Sequence, residues 1–338
     1  MIRKILEQTE KIDTKLSTLR DLSAKATREM SARVSGDAIT REDYKEHHDN
    51  WTTYEKEIRH LTKLKEDILE QARDLTPAER VYLARYSSRP HIDDFIEGLF
   101  TDFFEQRGDH LHDEDQSIRG GIARFHGVPV TVVGHRKGRT VEENIECNFG
   151  MPRPEGYRKA LRIMKEAEKF HRPIITFIDT PGAYPGLEAE EHGQGEAIAQ
   201  NLAEMSTFTV PVIAVVTGEG NSGGALALAV ANRVLMLENA VYSILSPEGF
   251  ASILWKDANR RDEACEIMQL TAADLKRAGV ADEVVPEPLG GAQEDPQALF
   301  EVLDQMLLDT LKAYSGLSGE EIRFDRNEKY REIGREVG

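Results

Sequence analysis

The sequence predicts an α/β domain preceded by a helical N-terminal extension, and three observations carry that reading. Apolar runs of strand length alternate with helical stretches. Two of these runs open into glycine-rich loops that lead into further helices, a pattern recurring about every 40 residues. The first 85 or so residues are charged and almost free of glycine and proline.

Taken in order, Met1 to about Arg85 reads as helices. Ile5, Ile12 and Leu19 fall at heptad spacing, with Ile2, Thr9 and Leu16 between them. This stripe serves either to dock a partner or to pack on the chain's own main domain, and the pattern favours neither. The composition shifts after Ser87 to Pro90. A helix is expected around Phe95 to Phe104, then extended runs from Gly120 to Phe125 and Val128 to Val133 about a His126-Gly127 turn, the signature of a hairpin. Tyr157, Ala160, Leu161, Met164 and Ala167 recur at helical spacing from Glu155, and Pro173 ends that helix before the strand Ile174 to Ile178.

The first glycine loop, Asp179 to Gly186, follows that strand. Next come a helix carrying Ile198, Leu202 and Met205, a strand Val210 to Val216, and the second loop, Gly218 to Ala225. A helix from Ala225 and a strand Val234 to Leu237 complete the repeat. Both loops should therefore lie at one edge of the sheet. Thr271 to Asp274 forms a capping box with Gly279 at the helix stop, before a strand Glu283 to Val285, a helix Pro296 to Tyr314 and a charged tail. The implied division is 1–85, 86–295 and 296–338.

Bulk properties exclude several function classes. A chain of 338 residues that is 40% hydrophobic can bury a large core. With 43 basic against 60 acidic residues the net charge is −17, which argues against nucleic-acid or anionic-membrane partners. Two cysteines, Cys147 and Cys265, are too few for a disulfide framework or a cysteine zinc site. The N-terminus runs straight into charges, and the most apolar segments are interrupted well short of membrane-spanning length. A cytoplasmic location is expected.

The second loop fits three chemistries. Gly218, Gly220 and Gly223 form a G-x-G-x-x-G with Glu238 twenty residues on, as in an NAD(P)-dependent oxidoreductase, although the following helix is short for a dinucleotide unit. Gly220, Ser222 and Gly224 form a G-x-S-x-G elbow, but the last histidine is His192, so the serine-hydrolase order has no base. The third reading uses backbone N–H groups of Gly223, Gly224 and Ala225 at a helix N-terminus as an oxyanion hole, with comparable amides at Gly182 and Ala183. Against all three stands the plain reading that these glycines only make tight turns. Glu219 and Asp179 are expected to cap backbone amides. His135 and His192 lack metal-ligand spacing, and no metal is expected in this chain.

Asp179-Thr-Pro-Gly-Ala-Tyr-Pro-Gly186, Gly218-Glu-Gly-Asn-Ser-Gly-Gly-Ala-Leu226, Ser246-Pro-Glu-Gly249, Pro286-Glu-Pro-Leu-Gly-Gly291 and Asn148-Phe-Gly-Met-Pro-Arg-Pro-Glu-Gly-Tyr157 occur in one order over roughly Arg89 to Ala292. In this they resemble the carboxyltransferase α-subunit family of bacterial acetyl-CoA carboxylases. Asn221 departs from the pattern, standing where many relatives have glycine. The resemblance implies a crotonase-like fold of repeated ββα units and an α2β2 assembly with a separate β subunit. It implies transfer of a carboxyl group from carboxybiotin, held covalently on a biotin carboxyl carrier protein and charged by a biotin carboxylase, to acetyl-CoA, yielding malonyl-CoA for fatty-acid synthesis. It further implies that Gly223, Gly224 and Ala225 form the hole facing biotin, with Gly182 and Ala183 beside it. Lys137, Arg139 and Tyr184 are candidate ligands of the carboxylate or of carboxybiotin.

Overall fold

The computed structural model describes residues 1–34 and 41–335. It divides into two compact units, Met1–Leu75 and Thr76–Gly338. In the first, α1 (Ile2–Val34) packs along α2 (Arg41–Leu69). The heptad stripe does form a buried face. Ile12 and Leu16 meet Leu61, with Leu19, Ile58 and Ile68 against them. Lys65 reaches Asp13 at 2.7 Å and Ser23 donates to Glu55 at 2.7 Å, so early α1 faces late α2 and the pair runs antiparallel.

The second unit begins with α3 (Pro77–Ala84), although the even composition up to Arg85 places it with the extension. Thr76 and Glu79 close a capping box and proline stands in its first turn. After α4 (Ile92–Leu99) the chain becomes β1 (Thr101–Glu105), so the helix expected to reach Phe104 stops five residues sooner. Phe103 and Phe104 extend because β1 must pair antiparallel with β2 (Ile118–Phe125). The expected hairpin is present, β2 pairing residue for residue with β3 (Val128–His135). Next come α5 (Val141–Glu146), α6 (Pro154–Lys169), β4 (Ile174–Thr180), α7 (Leu187–Glu191), α8 (Gln194–Thr207) and β5 (Val212–Asn221).

A five-residue α9 (Ser222–Leu226) precedes β6 (Arg233–Leu237), β7 (Val241–Ser243), α10 (Pro247–Trp255), α11 (Arg261–Met268), α12 (Ala272–Arg277), β8 (Glu283–Val285) and α13 (Pro296–Tyr314). The supposed tail is a further helix, α14 (Gly319–Glu332), started by a Ser318–Glu321 capping box. Its Arg326 is fully buried and donates to the carbonyls of Met205, Phe208 and Val210 and to Asn232 Oδ1. A charged residue thus closes the open end of α8, which the composition of the segment does not reveal.

The sheet runs β1-β2-β3-β4-β5-β6-β8, with β7 beside the far end of β5. From β3 onward the pairings are parallel. β4 and β5 are buried along their whole length, as strands covered on both faces must be, which is why they read as continuous apolar runs. Parallel pairing brings the ends of β4 and β5 side by side, Thr180 opposite Gly220, and so places both glycine loops at one edge.

Candidate active site

At the end of β4, Thr180 organises the first loop. Its Oγ1 donates to the Gly150 carbonyl at 2.6 Å and accepts the Gly182 N–H at 3.0 Å. Gly182 sits at φ 138°, a region that side chains exclude, and its amide is satisfied inside the loop. Gly182 therefore supplies shape rather than a donor. Tyr184 is tied down through both backbone groups: its N–H donates to the Pro152 carbonyl and its own carbonyl accepts from Gln194 Nε2, each at 3.0 Å. The Tyr184 ring lies 5.4 Å from the Arg153 guanidinium, in a cation–π contact.

In the second loop the chain turns abruptly from β5 into α9. Ser222 takes φ 56°, unusual for a residue with a side chain. Asn221, at the N-cap, makes no capping bond to the helix. Its amide instead donates to Glu219 at 3.3 Å, and its oxygen accepts from Ser243 at 2.9 Å. The first-turn amides of α9, those of Gly223 and Gly224 among them, consequently have no side-chain cap. At φ −115° the Asn221 backbone has no need of glycine, so the departure at this position costs the loop nothing.

The two loops touch at Gly224. A Cβ there would lie 2.6 Å from the Ala183 nitrogen, 2.7 Å from the Gly182 carbonyl carbon and 2.9 Å from the Tyr157 hydroxyl. Any side chain would push backbone apart. A Cβ at Gly223 would instead meet only Ile198 methyl groups, at 3.5 and 3.7 Å. From below, His135 places Nε2 3.2 Å from the Gly224 carbonyl. Burial drives its pKa down to about 4, so the ring is neutral. The Tyr157 hydroxyl, fully buried, has no hydrogen-bond partner among the described residues, and its pKa is raised well above normal by desolvation.

Beneath the loops lies a chain of charge, largely buried at Lys137, Asp179 and Glu219 and half-exposed at Arg85 and Glu248. Lys137 Nζ stands 2.7 Å from Asp179 and 3.2 Å from Glu219, and Arg85 bridges Glu219 to Glu248 at 2.9 Å each. Desolvation would neutralise these groups, but the opposite charges prevail, raising the Lys137 pKa and lowering that of Asp179. Asp179 also accepts the Glu219 N–H at 3.1 Å, the amide-capping role expected of it. Lys137 is thus committed to two carboxylates rather than open to a ligand. Arg139 is exposed and pairs with Asp94.

Beside Gly223 opens a mainly apolar cavity of about 720 Å³, lined by Ser222, Leu226, Tyr242, Phe250, Met268 and Leu275 among others. Ile244, 78% exposed, and Ile267, 52% exposed, also line it. Of the sequence candidates, the structure brings Gly223, Gly224, Ala225, Gly182 and Ala183 together. Lys137 lies below them, while Tyr184 and Arg139 are not among the residues lining the cavity. Nothing in the sequence singles out Arg85 or Tyr157 for the site, and His135, which lacks metal-ligand spacing, is a buried core histidine. A lone buried histidine or tyrosine carries no spacing signal, whereas Tyr157 at least closes the Asn148–Tyr157 motif.

The geometry removes the dinucleotide reading. Gly218 and Gly220 lie within β5 rather than in the turn, and the helix that follows has five residues. Ser222 does have an elbow-like backbone, yet among the described residues no histidine hydrogen-bonds it. No helix among them is long and apolar enough to cross a membrane. His192, which has no metal-ligand spacing in sequence, meets His112 and Glu155 in space.

A family model described as acetyl co-enzyme A carboxylase carboxyltransferase-like matches residues 10–334. The acetyl-coenzyme A carboxylase carboxyl transferase subunit alpha of Anoxybacillus flavithermus is 56% identical over 274 residues, 81% of this chain and 83% of that protein. Transcarboxylase 12S, solved with methylmalonyl-coenzyme A and methylmalonic acid, superposes with a TM-score of 0.54 at 20% identity, covering 67% of this chain and 42% of its own. A Pseudomonas malonate decarboxylase hetero-tetramer in complex with coenzyme A gives 0.53 at 17% identity, covering 66% and 91%. These two likenesses establish the crotonase-like fold and nothing finer. The breadth of the sequence match establishes more: this chain belongs to the acetyl co-enzyme A carboxylase carboxyltransferase-like family.

Proposed function

We propose that this chain forms one half of an acetyl-CoA carboxyltransferase, in which the turn at Gly223, Gly224 and Ala225 stabilises negative charge on an oxygen of the biotin ureido group. The observation that carries this is the uncapped first turn of α9 beside the cavity at Gly223. Backbone N–H groups at a helix start favour developing negative charge, and in a site closed to water such donors act strongly. An uncharged ureido ring suits an apolar cavity with donors at one side. Carboxybiotin, carried covalently on a separate biotin carboxyl carrier protein, supplies the carboxyl group that converts acetyl-CoA to malonyl-CoA.

The residues of this chain act by position. Gly224 admits close packing of the two loops, and His135 holds its carbonyl and so fixes the turn. Lys137, Asp179 and Glu219 fix the strand ends from which both loops spring. Ala183 borders the turn, Gly182 shapes the loop, and Tyr184 braces it. Neither His135, neutral and buried, nor the paired Lys137 is placed as a general base, consistent with chemistry driven by electrostatic stabilisation.

The second hole and most of the coenzyme A site belong, on this reading, to a β subunit in a cytoplasmic α2β2 assembly served by a biotin carboxylase. Exposed Ile244 and Ile267 at the cavity rim, with Ile253 and Leu254 exposed on α10, are the apolar surface such a partner would cover. Affinity purification of the tagged chain from its own host tests this reading: a partner with a matching carboxyltransferase domain should be recovered. Recovery of the chain alone, under conditions that preserve the host's carboxylase activity, contradicts it.

A further inference from the structure

His112, in the segment between β1 and β2, His192, just after α7, and Glu155, in the first turn of α6, converge within the second unit. One ligand atom from each lies within 4.8 Å of the others. His192 Nδ1 is 3.0 Å and His112 Nδ1 3.4 Å from Glu155 Oε1, and the two imidazole rings are 4.5 Å apart. Ligands held at about 2.0–2.2 Å by a tetrahedral cation stand roughly 3.3–3.6 Å from one another. The three side chains therefore need only small rotations to surround one ion.

The site is also supported from behind. Asp109 Oδ1 accepts the backbone N–H groups of Leu111, His112 and Asp113 at 2.9, 2.7 and 3.1 Å, which fixes the turn carrying His112. Arg158 donates to Asp109 at 2.8 Å, to the His192 carbonyl at 3.0 Å and to Glu155 Oε1 at 2.8 Å. One guanidinium thus holds both histidine-bearing segments and the carboxylate, as supporting residues around metal sites do. Its bonds to Asp109 and to the His192 carbonyl involve no ligand atom and so survive cation binding. Glu155 is 3% exposed, whereas the His112 side chain is 56% exposed, leaving room for water at a fourth position.

We propose that His112, Glu155 and His192 bind one divalent transition-metal cation of the zinc class. Two imidazoles and one carboxylate are ligands suited to Zn²⁺ and do not form the all-oxygen set that calcium or magnesium requires. The bound ion ties the β1–β2 segment to the chain between β4 and α8. Gln194, two residues beyond His192, holds the Tyr184 carbonyl, so the cation stiffens the support of the first glycine loop.

Titration of the tag-free, full-length chain with Co²⁺, followed by visible absorption and by Zn²⁺ displacement, tests the site. One equivalent should produce a tetrahedral d–d band that zinc abolishes, and zinc should raise Tm relative to chelator. His112→Asn and His192→Asn should each lose the band and the zinc-dependent Tm shift while keeping the wild-type Tm in chelator, which shows that they fold. Absence of the band from the wild-type chain, or its survival at full intensity in either variant, overturns the proposal.

Discussion

His135 Nε2 and the Gly224 carbonyl oxygen lie 3.2 Å apart in a fully buried contact between β3 and the turn after β5. Burial lowers the His135 pKa to about 4, whereas an unfolded histidine titrates near 6.5. Between these values the unfolded chain binds more protons than the native one, so stability rises with pH across that window. The contribution is fully present above about pH 6.5 and is lost as pH falls through the folded value, in total roughly 3 kcal/mol. Denaturant melts from pH 7 to 4.5 should show this slope in the wild type and a flatter one in His135→Gln. Equal slopes contradict the assignment.

Gly223 and Gly224 should part company on substitution. Gly223→Ala meets only Ile198 at ordinary contact distance, so Tm should stay near that of the wild type. Its methyl group crowds the turn beside the reacting group, and kcat of the assembled enzyme should fall by about 10²-fold, the scale of a 1 Å misplacement. Gly224→Ala drives a methyl into the Ala183 and Gly182 backbone and should lower Tm as well as turnover. A Gly223→Ala enzyme with normal kcat removes the turn from the mechanism.

Lys137→Met should destabilise strongly, because it strands the buried Asp179 without its cation and leaves Glu219 only Arg85. Breaking such a buried pair costs about 3–5 kcal/mol, a fall in Tm of more than ~5 °C. Asp179, with its lowered pKa, contributes stability that is present above the unfolded value near 4 and lost on acidification. Lys137, with its raised pKa, contributes stability present below about pH 10.4 and lost above it. Near neutral pH the variant should therefore be less stable than the wild type. A variant as stable as the wild type contradicts the network.

Arg326→Leu should leave the carbonyls of Met205, Phe208 and Val210 without their buried donor, while Asn232 Oδ1 keeps the Val212 N–H. Each stranded polar group costs about 1–3 kcal/mol, so thermal melts should show a loss beyond that of an exposed arginine such as Arg323→Leu. Equal effects mean that α14 does not close the sheet's flank.

The glycine loops were legible because their signal is local. Continuous apolar strands, the turn residues between them and the spacing of the two loops predict a shared sheet edge, and β4 and β5 pair so that Thr180 faces Gly220. What sequence could not deliver depends on contacts between distant residues. Lys137 follows a strand and looks like an open cation until Asp179 and Glu219, 42 and 82 positions away, are folded against it. His135 and Arg326 are single residues without periodic context, and the periodicity of Tyr157 marks a buried helix face rather than a contact with Gly224. Phe103 and Phe104 suit a helix as well as a strand, and the pairing of β1 with β2 decides.

The central claim is that this chain's glycine turns build half of a carboxyltransferase site. Malonyl-CoA decarboxylation in the presence of free biotin tests it most directly, measured for the purified chain, for its β-type partner and for the two mixed. Either chain alone should show negligible turnover, mixing should restore it, and Gly223→Ala should lose that restored activity without loss of complex. Full activity of the lone chain, or none with a verified partner, would contradict it.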